Sequence, residues 1–427
     1  MATELRRSLG PIQLVFYGVG TIVGAGIYSV LGAAAGLAGP GVWVSLVLAG
    51  LAAFITALSY AELIALYPQA GAEYHFLKRA FPQQPFPRFF AGYLVAINAA
   101  ATSATVALAF GGYLRVFLEI PAALTAFVLL SLCTLVNIAG IRESTWASIA
   151  LICVEVAGLL LLVAAGFWHT DVMAAVALPA AADGSAIFAA TALIFFIFIG
   201  FEDVANLAEE AKDAQRDVPR ALLLSVGITT AIYLLVAWVA LALAPPPLLA
   251  QSESPLTTAA SGLAPWIGKT LAVTALFATA STALIALISI SRLLFGMARD
   301  GALPAVLARL TPRRRTPWVA ALALYGAACA LLPLGEVRVV ASVSALGVLT
   351  VFAGIQVALI TLRFTRPELP RKFRVPGAVG RLPLLPVLGI IATLALLTQF
   401  EPRVYLVGGI AVAIGLLLHK LAGRRPE

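Results

Sequence analysis

The chain reads as an all-α polytopic membrane protein with twelve transmembrane helices, and three observations predict this. Of its 427 residues, 61% are hydrophobic and only 11% charged, where soluble domains carry roughly a quarter charged residues. Mean hydropathy is +1.00. The apolar stretches also run about 18 residues or more without the ten-residue alternation of barrel strands, so they cross a bilayer as helices.

The spans fall at 12–37, 41–66, 88–117, 121–140, 146–168, 186–210, 220–244, 266–297, 317–334, 338–363, 382–400 and 403–421. When the 28 Lys and Arg residues are sorted by side, only Arg115, Lys269, Arg338 and Arg403 fall on the face opposite the N-terminus. So strong a bias orients the chain with both ends cytoplasmic. The run from Ile12 to about Leu37 is too long for the apolar part of a secretory leader and reads as the first span. The net charge of +8 lies in short connections between spans, which marks a membrane face and not a nucleic-acid surface. Only five of the basic residues are Lys, a usage that suits a GC-rich bacterial genome. The bacterial inner membrane is therefore the expected location.

Connections and minor residues fill in the outline. Ala38-Gly39-Pro40-Gly41 is a tight outer turn that makes the first two spans antiparallel neighbours. The longer piece from Tyr67 to Arg88 has room for an interfacial helix around His75 to Phe81. Pro245 to Pro265, rich in Pro and Ser, suits an external loop, and the basic Arg299 to Arg315 loop suits topology setting and contact with anionic lipid. Cys133, Cys153 and Cys329 lie in apolar segments without metal or redox spacing and read as small core residues. The three histidines are scattered, so no metal site and no cofactor are expected.

Two stretches interrupt the apolar pattern. Gly18-Val19-Gly20-Thr21-Ile22-Val23-Gly24-Ala25-Gly26-Ile27 occupies the middle of the first span. Glycine at that density lets a helix unwind, and unwound backbone survives in a bilayer only where it lines a cavity or binds something. The second stretch, Phe195-Phe196-Ile197-Phe198-Ile199-Gly200-Phe201-Glu202-Asp203, lies in the sixth span. Five spans separate the two, an odd number, so a second copy of a five-helix unit sits upside down. The expected organisation is an inverted five-plus-five repeat of 12–168 and 186–363, followed by helices at 382–421, with tails 1–11 and 422–427. Interrupted helices at matching positions of two inverted halves point to a transporter's midplane site.

A helix broken at Val23 to Gly26 presents free N–H groups from its outer half and free C=O groups from its inner half to one spot. The sixth span repeats this in the opposite direction. One zwitterion satisfies both sets, which describes an α-amino acid. Against this, Gly20 and Gly24 form a Gly-xxx-Gly pair of the kind that marks close helix packing, and the matching break in the sixth span tips the balance toward a site. Glu202 and Asp203 are neighbours about 100 degrees apart on a helix, so both cannot face one cavity. Two readings stand for them, a cap on the second half-helix or a proton carrier and amine contact. Glu155, in the fifth span, has apolar neighbours and no basic residue in its span, which makes it a proton-coupling candidate. Glu62, nearer the end of the second span, reads as structural. Phe196, Phe198 and Phe201 are either packing or a cover for a bound side chain.

These residues resemble the amino acid–polyamine–organocation (APC) transporters. The likeness is carried by Gly24-Ala25-Gly26-Ile27, by Phe195 to Asp203, by Glu209-Glu210-Ala211-Lys212 through Val218-Pro219-Arg220, and by Ser291 to Pro304. It implies a LeuT-like five-plus-five fold with two extra C-terminal helices, alternating access, and substrate held at the two breaks. Ile22, Gly24, Ala25, Gly26 and Ile27 match the family's carboxylate-binding segment. Phe196, Ile199, Gly200 and Glu202 match its sixth-span segment, with Phe196 at the aromatic gate and Glu202 at an acid that some exchangers use for protons. One departure stands out: some proton-coupled members resemble this chain but carry a Lys in the fifth span, counted from an Asn-x-x-Gly like Asn137-Ile138-Ala139-Gly140, where Glu155 stands here.

The expected function is secondary transport of an amino acid, with H+ as the coupling ion and Glu155, Glu202 or Asp203 as its carrier. Exchange, organic-amine or polyamine carriage, and nutrient sensing are the alternatives. No Gly-x-Ser-x-Gly or His-Glu-x-x-His motif suggests an enzyme. The expected partners are the substrate and the lipid bilayer, and the sequence carries no signal for oligomeric state.

Overall fold

The computed structural model describes residues 9–69, 72–139, 145–175, 183–299, 301–312 and 314–422. The first span is two helices, α1 (Pro11–Val23) and α2 (Gly26–Ala38), and the second is α3 (Val42–Leu66). A short amphipathic helix, α4 (Ala72–Ala80), precedes α5 (Pro85–Leu114), α6 (Ala122–Ala139) and α7 (Thr145–His169). After α8 (Val172–Ala175), the sixth span consists of α9 (Gly184–Ile194), a 3-10 turn (Phe195–Phe198) and α10 (Asp203–Asn206). Then come α11 (Ala214–Leu243), α12 (Pro246–Gln251), α13 (Pro255–Ala260), α14 (Pro265–Arg299), α15 (Trp318–Leu331), α16 (Val337–Thr365), α17 (Leu384–Leu397) and α18 (Pro402–Ala422). A two-residue hairpin, β1 (Ala378–Val379) with β2 (Leu382–Pro383), separates α16 from α17.

Among the described residues, nine stretches are long and apolar enough to cross a membrane; α2 and α3 count together as one of them, and α1, Trp318–Leu334 and α17 are shorter. Their outward faces are apolar too. Leu124, Phe127, Val128, Leu132 and Leu135 on α6 are all exposed, an arrangement that suits lipid and would be an aggregation hazard in water. Helices are the form such sequences take because every backbone N–H and C=O must be paired within the segment.

Polar contacts between connections fall into two groups. On the face where α1 begins, called here the entry face, Leu9 pairs with the Glu210–Lys212 backbone through bonds of 3.0 and 2.9 Å. On the same face, Thr316 donates to the Ile138 carbonyl at 2.8 Å and Arg314 to that of Ala139. On the far face, Arg115 pairs with Glu253 and Arg338 with Glu401. The basic residues Arg6, Arg7, Arg142, Arg313, Arg424 and Arg425, with Gly140 of the Asn-x-x-Gly motif and Asp300, lie outside the described residues.

Several expectations are corrected. The sixth span, expected as 186–210, is α-helical only to Ile194, and its second half is a single turn at Asp203–Asn206 followed by turns. The seventh begins at Ala214, ahead of the expected 220, with Pro219 inside the helix. The 245–265 segment is not an open loop. It forms two short helices, each opened by proline at its first turn, and α12 packs against α2 so closely that Gly36 leaves no room for a side chain beside Ala250. Cys153 is exposed on the lipid side and is no core residue, whereas Cys133 is buried. The helix expected around His75 to Phe81 is α4.

Candidate functional site

In the first span the helix stops at Val23 and restarts at Gly26. The last carbonyls of α1 and the first amides of α2 therefore lack intrahelical partners. Neighbouring helices meet some of them. Thr282 of α14 accepts from the Ala25 N–H at 3.3 Å, and a Cβ on Gly24 would lie 2.9 Å from the Thr282 Oγ1. The Ile22 carbonyl accepts from the Tyr233 hydroxyl of α11 at 2.6 Å.

In the sixth span the 3-10 turn ends in an extended Ile199 and then Gly200, whose φ of +116° only glycine adopts readily. Gly200 is required on a second count, since a Cβ there would stand 2.7 Å from the Thr21 carbonyl oxygen. Its own carbonyl accepts from the Thr21 hydroxyl at 3.1 Å, and its N–H donates to Glu202 Oε2 at 2.9 Å.

The two breaks lie against each other. A Cβ on Gly26 would sit 3.0 Å from Ile197 Cα. The Tyr233 hydroxyl, 2.6 Å from the Ile22 oxygen and 3.1 Å from that of Ile197, joins the carbonyl ends of both. Ile22, Gly24, Ala25, Ile27 and Phe196 are buried, while Gly26, Ile199, Glu202 and Asp203 keep part of their surface open. Phe198 packs on the Tyr233 ring and beside Gly50, and Phe201 packs between Tyr60 and Phe352.

The acids divide by partner. Glu155 is 3% exposed; its Oε1 accepts from Ser281 at 2.9 Å, and its backbone carbonyl accepts from Tyr28 of α2 at 3.1 Å. Ser281 adjoins Thr282, so one turn of α14 touches both Glu155 and the first break. Glu202 precedes α10 without capping it and folds back onto the Gly200 amide instead. Asp203 is the first residue of α10. Glu62 is fully buried in an ion pair with Arg363 of α16 and accepts further bonds from Arg371 at 3.1 Å and the Val375 amide at 2.7 Å. On α4, Glu73 accepts from the Tyr60 hydroxyl at 3.0 Å, and burial pushes its carboxyl up to about 6.

Sequence reasoning missed Tyr233, Thr21, Ser281 and Thr282. Each is an ordinary polar residue in an apolar helix, and only a buried hydroxyl's need for a partner marks it.

A family profile described as amino acid permease matches residues 9–413. The branched-chain amino acid permease BcaP of Bacillus subtilis (strain 168) is 30% identical, the match covering 99% of this chain and 94% of that protein. The vacuolar cationic amino acid transporter 2 of Arabidopsis thaliana is 30% identical over 86% of this chain and 61% of its own length. A methylthioribose transporter of Bacillus subtilis (strain 168) is 28% identical over 99% of this chain and 94% of its own. With a helical membrane architecture and two interrupted spans that meet in its interior, the chain belongs to the amino acid permease family of the APC superfamily and is a transporter and not an enzyme.

Proposed function

We propose that the chain is a secondary transporter that moves an amino acid across the bacterial inner membrane by alternating access, with uptake coupled to H+. One observation carries the reading. The carbonyl end of α1, the amide end of α2 and the carbonyl end of the 3-10 turn at Phe195–Phe198 converge where Gly26 meets Ile197. Bare peptide ends of opposite polarity at one point suit a solute with an ammonium and a carboxylate on one carbon. The reading places the substrate at Ile22, Gly24, Ala25, Gly26 and Ile27, and at Phe196, Ile199, Gly200 and Glu202. Phe198 and Phe201, also assigned to the substrate site by this reading, pack beside the second break on Tyr233, Tyr60 and Phe352. It also takes the chain as twelve spans in a five-plus-five repeat with both ends cytoplasmic.

Glu155 is the preferred proton carrier. It is buried beside the first break with a hydroxyl as its side-chain partner, so a proton gained or lost there would bear on the break through Ser281 and Thr282. A cationic substrate is the second reading, favoured by the proximity of Glu73, Glu202 and Asp203 near the second break and by the name of the Arabidopsis relative. The methylthioribose relative shows why family alone leaves the solute open.

The test is flux into proteoliposomes with labelled leucine, valine, lysine and arginine, each in competition with its decarboxylated amine and with methylthioribose. Competition by the amino acid alone supports the zwitterion. Equal competition by the amine assigns an amine carrier, and competition by methylthioribose alone removes the amino acid reading.

A further inference from the structure

A groove of about 600 Å³ opens toward lipid between α1, α7 and α11. Ile12 and Phe16 form one wall, Cys153 and Leu160 a second, and Arg220 and Ile228 a third. Every lining side chain is apolar or the Cys153 thiol, with the exception of Arg220. This cation is exposed at the entry-face end of α11, and among the described residues no carboxylate lies within 4 Å of it, Asp217 one turn earlier included.

The length of the groove selects its occupant. From Arg220 to Ile232, the last lining residue of α11, twelve residues at 1.5 Å each span roughly 18 Å. Half of a hydrocarbon core is roughly 15 Å. The groove thus runs from the interface of one leaflet to about the midplane, the reach of one acyl chain. Its apolar walls do not prefer one lipid tail over another, because a tail leaving the bilayer gains no hydrophobic free energy. Selectivity must come from the charged end, where a guanidinium fits a phosphate with two parallel bonds.

We propose that this groove binds one anionic phospholipid of the entry-face leaflet, its phosphate on Arg220 and one acyl chain laid along α1. The bound tail would pack against the half-helix that ends at the first break, since the lining residues of α1 lie between Pro11 and Val19 and the helix stops at Val23. The inference rests on the membrane reading of the chain and is independent of which solute it carries.

Native mass spectrometry of the full chain, purified in detergent and titrated with phosphatidylglycerol or phosphatidylcholine of equal chain length, tests it without a transport assay. The expected result is one phosphatidylglycerol bound about tenfold more tightly than phosphatidylcholine. Arg220→Gln should bring the two lipids to equal affinity, and Arg220→Lys should restore part of the preference. Ala157→Phe, which places bulk in the groove from an exposed position, should weaken both. Equal affinity in the wild type, a preference that survives Arg220→Gln, or a groove closed by a second copy in a stable dimer would each overturn the proposal.

Discussion

Glu62 and Glu155 are both carboxylates buried in apolar helices, at 0% and 3% exposure, yet they are held in opposite ways. Glu62 meets two guanidinium groups and a backbone amide from the segment that runs from α16 to the hairpin. The side chain of Glu155 meets one serine hydroxyl, and among the described residues no Lys or Arg lies within 4 Å of it. A buried charge persists only when it is paired and hydrogen-bonded. Glu62 therefore serves as a fixed anion that ties α3 to α16 and to the Val375 segment. Glu155 has no such anchor, so a change in its protonation would dismantle no ion pair among the described residues. Depth and residue type do not distinguish these two acids; the partners do.

The sharpest way to break the comparison is Glu62→Gln. Among the described residues it leaves Arg363, whose side chain is 2% exposed and whose Nη1 has no partner there, without a counter-charge. A loss of about 3 to 5 kcal/mol is expected, read as a large fall in thermal midpoint and in yield of folded protein. If Glu62→Gln melts with the wild type, the ion pair is not what holds α3 to α16. Next in size is Tyr233→Phe, which strips the hydroxyl from the Ile22 and Ile197 carbonyls and should destabilise by about 1 to 3 kcal/mol. Substrate affinity should fall with it, because those carbonyls are freed to turn away from the junction. Unchanged affinity would show that the two breaks do not need this link.

The first break was legible in the sequence only together with the second: the glycines from Gly18 to Gly26 equally suit close helix packing, and the matching stretch at Gly200, followed by two acids at depth, tipped the reading. How the breaks are joined was not legible. Thr21 bonds a residue 179 positions away and Tyr233 one 211 away, and a lone hydroxyl in an apolar helix carries no periodicity to reveal its partner. The position of Glu62 near the end of its span marks it as structural, but nothing in the sequence pairs it with Arg363 and Arg371, some 300 residues away. Phe198 and Phe201 could be read as packing or as a cover for a bound side chain, and their ring contacts with Tyr233, Tyr60 and Phe352 depend on helices far away in the chain. The single-turn α10 also escaped notice, since apolar character continues past the point where the helix gives way to turns.

Glu155→Gln is the third test and the one that bears on function most directly. Glutamine keeps a hydrogen bond to Ser281, so stability should stay within about 1 kcal/mol of wild type, in contrast to Glu62→Gln. Uptake into proteoliposomes should lose its dependence on the outside pH while substrate still binds. An unaltered pH profile would return Glu155 to the same structural class as Glu62 and shift the coupling role to Glu202 or Asp203.

Glu73, an acid outside the spans, lies between these two extremes. Its burial on α4 lifts the carboxyl from 4.5 to about 6, so between those values the folded chain keeps a proton that the unfolded chain has released. Stability from this source is therefore complete below about 4.5 and is lost as the pH rises through 6. The shift corresponds to at most about 2 kcal/mol, reduced because the side chain keeps some contact with solvent. Thermal midpoints of the wild type should fall by a few degrees across that window, and Glu73→Gln should flatten the fall. If the slope survives Glu73→Gln but vanishes in Glu155→Gln, the acid that titrates in this range is the one beside the first break, and a hydroxyl partner alone is enough to leave a buried carboxylate free to exchange its proton.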